Sequence, residues 1–195
     1  MIVKELINPE SIVVVGGSSD LSKPGGALLK NIITSGYKGK LYVLNPGEQV
    51  VQGIHSYPDA ESLPDSECSI FALPAKFIPA IAGLLAGRKN TKAFIVLSAG
   101  FSETGIVGAA LENKLVETVK SVNGTLIGPN CTGVLFPGYA GVFAGPVPDL
   151  DPCGVDFVSA SGAVAVFTLE RAIPLGIKFS SVIAVGNSAQ TGIED

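Results

Sequence analysis

Four short stretches hold the residue types that could bind or move a phosphorylated group. The first is Ile12-Val-Val-Val-Gly-Gly-Ser-Ser-Asp20, continued by Lys23-Pro-Gly-Gly26. An apolar strand runs there into Gly16, Gly17, Ser18 and Ser19 and then into a helical pattern. Glycines let a backbone approach a ligand closely, and the free amides of a helix start carry partial positive charge. The second and third stretches, Ser98-Ala-Gly-Phe-Ser-Glu103 and Gly128-Pro-Asn-Cys131, each follow an apolar run that reads as a strand. The fourth, Ser159-Ala-Ser161-Gly162, opens another helical pattern with hydroxyl and amide donors. Each has a plainer reading. The first can be a tight turn without a ligand, and Ser161 can be a simple helix N-cap. Cys131, with no basic neighbour, can be a packed small residue rather than a nucleophile.

Other chemistry is poorly supplied. His55 is the single histidine and lies in an irregular stretch beside Tyr57 and Pro58. No Ser-His-Asp triad and no metal-ligand cluster can be assembled around it. Cys68, Cys131 and Cys153 are odd in number and far apart, with no CxxC pair, which argues against a disulfide framework or a zinc site. A dinucleotide fold that grips NAD expects a carboxylate at the tip of its second strand. Here that strand ends Leu44-Asn45-Pro46, and Glu48 sits beyond the turn.

The elements that must position these residues alternate. Strand patterns occur at residues 12–15, 41–44, 68–73, 92–97 and 125–128, with helical patterns at 25–36, 75–87 and 106–122 between them. Val107, Leu111 and Leu115 are spaced for one face of the last helix, and Pro79 is tolerable only in the first turn of its own. Residues 49–64 read as irregular, broken by Gly53, Pro58 and Pro64. Such alternation predicts an α/β fold with a Rossmann-like parallel sheet. In such a sheet the loops at the carboxyl ends of the strands line one crevice. Leu73-Pro74 ends the third strand and so joins the cleft with the Asn45 turn.

Residues 136–152 hold four prolines and three glycines and no helical pattern, which marks a linker. The expected division is a domain at 1–135, a linker at 136–152 and a second unit at 153–195. That second unit holds one strand–helix–strand, too little to cover both faces of its own sheet, so the chain reads as the N-terminal fragment of a longer protein.

Composition agrees. The chain has 195 residues, 47% of them hydrophobic and 15% charged, with 24 glycines, which suits buried parallel strands. A net charge of −4 without a basic block argues against nucleic acid. No apolar run reaches the roughly 18–20 residues of a membrane span, and charges interrupt the N-terminus where a signal peptide needs its apolar core. A reducing cytoplasm fits these features.

Taken in order, the motifs resemble the N-terminal part of the NDP-forming acyl-CoA synthetases. These include the ADP-forming acetate–CoA ligases and, more distantly, the succinyl-CoA synthetase α subunit. The matching text is Asn8-Pro-Glu-Ser-Ile-Val-Val-Val-Gly-Gly-Ser18, Tyr37-Lys-Gly-Lys-Leu-Tyr-Val-Leu-Asn-Pro46, Ser98-Ala-Gly-Phe-Ser-Glu103, Gly128-Pro-Asn-Cys131, Ser159-Ala-Ser-Gly-Ala163 and Val185-Gly-Asn187. The resemblance implies a coenzyme A-binding Rossmann-like domain followed by a flavodoxin-like ligase domain, here cut to its first strand–helix–strand. It implies coenzyme A along Gly16, Gly17, Ser18, Ser19, Lys23, Asn45, Pro46, Leu73, Pro74, Ser98, Ala99 and Gly100. Asn130 and Cys131 would lie near the thiol end, and Ser161 and Gly162 at a phosphate-holding helix start.

In such enzymes acyl-CoA and phosphate give an acyl phosphate, which phosphorylates a histidine. The phosphoryl group then passes to ADP, with magnesium, on an ATP-grasp domain or subunit. The family's histidine lies well beyond the Val-Gly-Asn motif, so no catalytic residue is expected in this chain, and the piece alone is expected to be inactive. The lysine commonly found just after the second-strand turn is replaced by Gly47 and Glu48, which leaves Lys23 or Lys38 to compensate. The succinyl-CoA synthetase Ser-Gly-Thr-Leu-Thr-Tyr run appears as Ser161-Gly-Ala-Val-Ala-Val166, which argues against succinate. Two other functions stand beside it: a non-catalytic coenzyme A-binding regulatory module and, disfavoured by the Asn45-Pro46 turn, an NAD-binding Rossmann enzyme.

Overall fold

Strand β1 (Ser11–Val15), which follows the single helical turn α1 (Lys4–Ile7), is wholly buried and divides the molecule by its period of two. Ile12 and Val14 point to one side, where Leu28, Leu29 and Ile32 of α2 (Pro24–Thr34) meet them. Val13 and Val15 point to the other, against α3 (Ile78–Arg88) and α4 (Ile106–Ser121), which supply Ile78, Leu85, Leu115 and Val119. A strand apolar on both faces must be central in a sheet covered by helices on both sides. The computed structural model, which describes residues 2–195, shows that arrangement.

The other strands of this sheet are β2 (Lys40–Leu44), β3 (Val50–Val51), β4 (Ile54–Tyr57), β5 (Cys68–Phe71), β6 (Ala93–Val96) and β7 (Thr125–Ile127). Their order is β3-β4-β2-β1-β5-β6-β7, and all neighbours are parallel except the β3–β4 pair. The chain moves outward from β1 through β2 to β4, returns to β5 on the other side, and proceeds to β7. That reversal is the switch point of a Rossmann-type sheet, and the crevice above β1 and β5 is its natural ligand position.

Two expectations are corrected. Residues 49–64 are not irregular throughout, because β3 and β4 form a tight hairpin across Gln52-Gly53, both at positive φ (50° and 83°). That is the backbone of a two-residue hairpin turn whose twist matches its strands. On α4, Val107 does not face the core: it is 79% exposed, and Gly108, Leu115 and Val119 are the buried positions.

A second sheet has the order β10-β11-β8-β9, from β8 (Gly133–Phe136), β9 (Tyr139–Val142), β10 (Val155–Ser159) and β11 (Phe179–Ala184). β10 and β11 are parallel and joined by α5 (Gly162–Ala172), as the strand–helix–strand pattern requires. The stretch 136–152 therefore departs from the expected linker in its first part: residues 139–142 are the return strand of the β8–β9 hairpin. Its alternating side chains serve two cores. Val134 and Phe136 join the α2 face of the first sheet, while Leu135, Ala140 and Val142 pack with Leu169, Phe179 and Val182. Polar contacts fix the docking. The Tyr139 hydroxyl donates to the Leu6 carbonyl at 2.5 Å, and Asn31 Nδ2 donates to the Val142 carbonyl at 2.8 Å.

Candidate functional site

The loop after β1 is shaped by what cannot fit in it. Gly16 has φ +89°, and a Cβ there would lie 2.6 Å from the Ala72 carbonyl oxygen. Gly25 and Gly26, in the first turn of α2, press on the same loop. Their Cβ atoms would come within 2.0 Å of the Gly16 and Asp20 carbonyl oxygens. Pro24 opens the helix without needing an amide partner, and Lys23 at the N-cap supplies no side-chain cap. The helix start is thus held against the strand end by close backbone contact, and Gln52 Nε2 bridges the two by donating to the Ser18 and Gly26 carbonyls at 2.7 and 2.9 Å.

Above this loop lies a cleft of about 690 Å³. Its floor and walls are Gly16, Gly17, Ser18, Asn45, Pro46, Leu73 and Pro74, with Phe77, Ala80 and Ile81 of the α3 turn along the far side. Lys23 and Lys76 stand at its edge, together with Asp59. Asn45 ties the turn after β2 to the loop after β1: its Nδ2 donates to the Gly17 carbonyl at 2.9 Å, and its Oδ1 accepts from the Gly47 amide at 2.8 Å. Sequence reasoning named the first seven of these residues and Lys23. It missed the α3 contribution, for which the clue is Pro74-Ala-Lys-Phe directly after a strand.

Glu48 is not simply beyond the turn. Its carboxylate folds back to accept from the Ser19 hydroxyl, from the Ser19 amide at 3.4 Å and from Asn45 Nδ2 at 3.1 Å. Ser19 is therefore engaged by Glu48 and does not line the cleft.

Of the remaining expected residues, Ser98, Ala99 and Gly100 line neither this cleft nor its neighbour, whereas Asn130, Cys131, Ser161 and Gly162 fall together at a neighbouring place. Ser98 Oγ donates to the Leu73 carbonyl at 2.7 Å, which joins the ends of β5 and β6. Asn130 and Cys131 border a second cavity, about 320 Å³, with Thr132, Ser161, Gly162 and Asn187. Cys131 itself is almost wholly buried. Its thiol is buried, donates to the Val96 carbonyl at 3.3 Å, and is pushed up to about 12 by that burial. Its burial and its hydrogen bond are those of a packing residue. The Ser161 hydroxyl accepts from the Val164 amide at 3.3 Å, so it caps α5. His55 sits on β4 with its ring against Tyr57, away from both cavities.

A polar clasp ties Asn187, at the second cavity, to the loop after β6. One Glu103 oxygen accepts from the Gly100 and Phe101 amides, at 2.5 and 3.1 Å. The other accepts from Asn187 Nδ2 at 2.6 Å, and that amide also reaches Glu112 at 3.0 Å. Slight burial favours the neutral acid, but Asn187 and the loop amides outweigh it and hold the Glu103 carboxyl below its ordinary range. Among the described residues no group of three or more His, Cys, Asp or Glu side chains could hold a metal ion, and no helix is long and apolar enough to cross a membrane.

Residues 10–137 match the family described as CoA binding domain. The α subunit of acetate–CoA ligase [ADP-forming] I of Pyrococcus furiosus is 34% identical over 97% of this chain and 42% of its own length. Acetate–CoA ligase [ADP-forming] I of Archaeoglobus fulgidus is 33% identical over 99% of this chain and 28% of its own. Among solved structures, the dinucleotide forming acetyl-coenzyme A synthetase 1 of Ca. Korarchaeum cryptofilum superposes with a TM-score of 0.89 at 31% identity. It covers 97% of this chain and 40% of that one. The chain thus spans under half the length of these relatives.

Proposed function

The chain belongs to the CoA binding domain family, and from that premise we propose that it is the coenzyme A-holding N-terminal part of an ADP-forming acyl-CoA synthetase. The observation that carries this reading is the cleft at the switch point, walled by Gly16–Ser18, Asn45-Pro46 and Leu73-Pro74. A long ligand with a phosphorylated nucleotide at one end suits it. The bare backbone of the glycine loop and the uncapped start of α2 face the phosphates, with Lys23 and Lys76 to balance charge. The apolar wall of Leu73, Phe77 and Ile81 takes the less polar remainder. Ser98, Ala99 and Gly100 continue the path toward the second cavity, where Asn130 and Cys131 border the thioester end.

Ser161 and Gly162 belong, on this reading, to the phosphate half of the site. The Ser161 hydroxyl already satisfies the Val164 amide, so the Gly162 and Ala163 amides are the donors available to an anion. Phosphate attacking the thioester carbonyl there would give an acyl phosphate and release the coenzyme A thiolate. Donors fixed in place stabilise that transfer because they need no reorganisation as charge develops. Acceptance of the phosphoryl group by a histidine, and its passage to ADP with magnesium on an ATP-grasp partner, require residues other than these 195. The only histidine here, His55, lies elsewhere. The Ser161-Gly-Ala-Val-Ala-Val166 run argues against succinate as the acyl group, and three unpaired cysteines suit a reducing cytoplasm. On this reading residues 1–135 hold the coenzyme A half and residues 153–195 the phosphate half, with the β8–β9 hairpin completing the sheet of the second.

Titration calorimetry of the chain with coenzyme A tests the proposal. Saturable binding at sub-millimolar concentration is the expected result. Binding of NADH with none of coenzyme A would overturn it in favour of a nicotinamide enzyme.

A further inference from the structure

Glu48 places two anionic oxygens on the donors that an incoming phosphate would seek. Its carboxylate accepts from both the hydroxyl and the amide of Ser19, the last serine of the glycine loop, and from Asn45 Nδ2, which also holds the Gly17 carbonyl. A carboxylate on a backbone amide and a hydroxyl is a fair chemical copy of a phosphate oxygen pair in the same place. The contact is made from the turn after β2, a separate element 29 residues away in sequence. It therefore reflects where the fold puts that turn and is not a local loop preference.

We propose that Glu48 is a built-in competitor for the phosphate loop, a specificity-determining residue that holds the Ser19 end of the site against phosphorylated ligands until one displaces it. This rests on the reading of the adjoining cleft as a coenzyme A site, and concerns the phosphates of that ligand. One consequence follows from charge alone. The carboxylate opposes any phosphate brought to Ser19, so the loop binds its ligand more weakly than its glycines and helix start would allow. Lys23 does not cancel this repulsion, since its own ammonium faces Asp20 at 3.9 Å.

The test compares the wild-type chain with Glu48→Gln and Glu48→Lys by titration calorimetry. The probes are coenzyme A and, separately, 3′-phosphoadenosine 5′-phosphate, the nucleotide end without the thiol arm. Glutamine keeps the shape and removes the charge. Charges a few ångströms apart in water change a binding constant by roughly three- to tenfold. Glu48→Gln is expected to tighten both probes by about that factor, and Glu48→Lys by more, with thermal unfolding confirming that each variant is folded. Equal affinity in wild type and Glu48→Gln would overturn the proposal while leaving the coenzyme A reading intact. Weaker binding in Glu48→Gln would also overturn it, because Glu48 would then be a ligand-holding group, as a ribose-binding carboxylate is. Tighter binding of the nucleotide probe in Glu48→Gln, with no protein binding coenzyme A, would support the competitor and refute the coenzyme A reading. No binding of either probe by any of the three proteins would overturn both.

Discussion

Two glycines in helices separate the demands of the site from those of the helix. Gly83 lies exposed in the middle of α3, and a Cβ there would meet nothing within 4 Å. Gly83→Ala is therefore expected to stabilise the protein by about 1 kcal/mol, the usual helix-propensity difference. Gly25 lies in the first turn of α2, where a Cβ would stand 2.0 Å from the Gly16 carbonyl oxygen and 3.4 Å from the Ala72 Cβ. The obstacle is backbone, held by β1 and β5, so it cannot swing aside as a side chain would. Overpacking of this kind costs about 1–3 kcal/mol, and the propensity gain offsets only part of it. Gly25→Ala should end about 1–2 kcal/mol less stable than wild type. The two variants should then differ by about 2–3 kcal/mol, or roughly 4–12 °C in Tm for a chain of this size. Urea unfolding followed by far-ultraviolet circular dichroism measures the difference, and coenzyme A titration should show Gly25→Ala weakened while Gly83→Ala binds as wild type. If Gly25→Ala proves as stable as Gly83→Ala, the close approach of helix to loop is not what shapes this site.

Two further outcomes follow from the buried and hydrogen-bonded groups. Cys68 and Cys131 are buried with their thiols pushed up by desolvation, whereas Cys153 is exposed. A thiol reagent at neutral pH should titrate one cysteine in the native protein and all three in denaturant; fast reaction of a second would contradict the packing role of Cys131. Glu103 has its folded pKa depressed, so its charged form stabilises the clasp at neutral pH, and that contribution is lost only as pH falls through the depressed value. The Gly100 and Phe101 amide resonances should titrate with a midpoint below the ordinary glutamate value of 4.5. A midpoint above it would mean that the Asn187 contact does not exist in solution.

Most of the first sheet was legible because its strands are short apolar runs stopped by Gly, Pro or Asn, and its helices have breakers at both ends. The cleft was legible for the same reason: parallel topology sends every strand's carboxyl end to one edge. What escaped were short-range features set by backbone sign or by partners distant in sequence. The β3–β4 hairpin turns on Gln52-Gly53, and glutamine is not among the residues that announce a positive φ. The β8–β9 hairpin hid in a stretch dense in proline and glycine, although Pro137-Gly138 between two apolar runs is itself a turn signal. The return of Glu48 to Ser19, and of Asn187 to Glu103 across 84 residues, depend on how separate loops come together. No local pattern encodes that.

The β8–β9 hairpin also bears on the order in which the molecule can be completed. All strands of the first sheet are present once residue 127 has been made, yet the α2 face stays uncovered until residues 139–142 arrive. Only then can Tyr139 reach the Leu6 carbonyl, 133 residues back along the chain. During synthesis the earliest strand–loop–helix unit, which carries the glycine loop, must wait with an apolar face bare while more than a hundred residues follow. Contacts of such long sequence separation form slowly, and the uncovered surface is where a nascent chain is open to aggregation or to a chaperone.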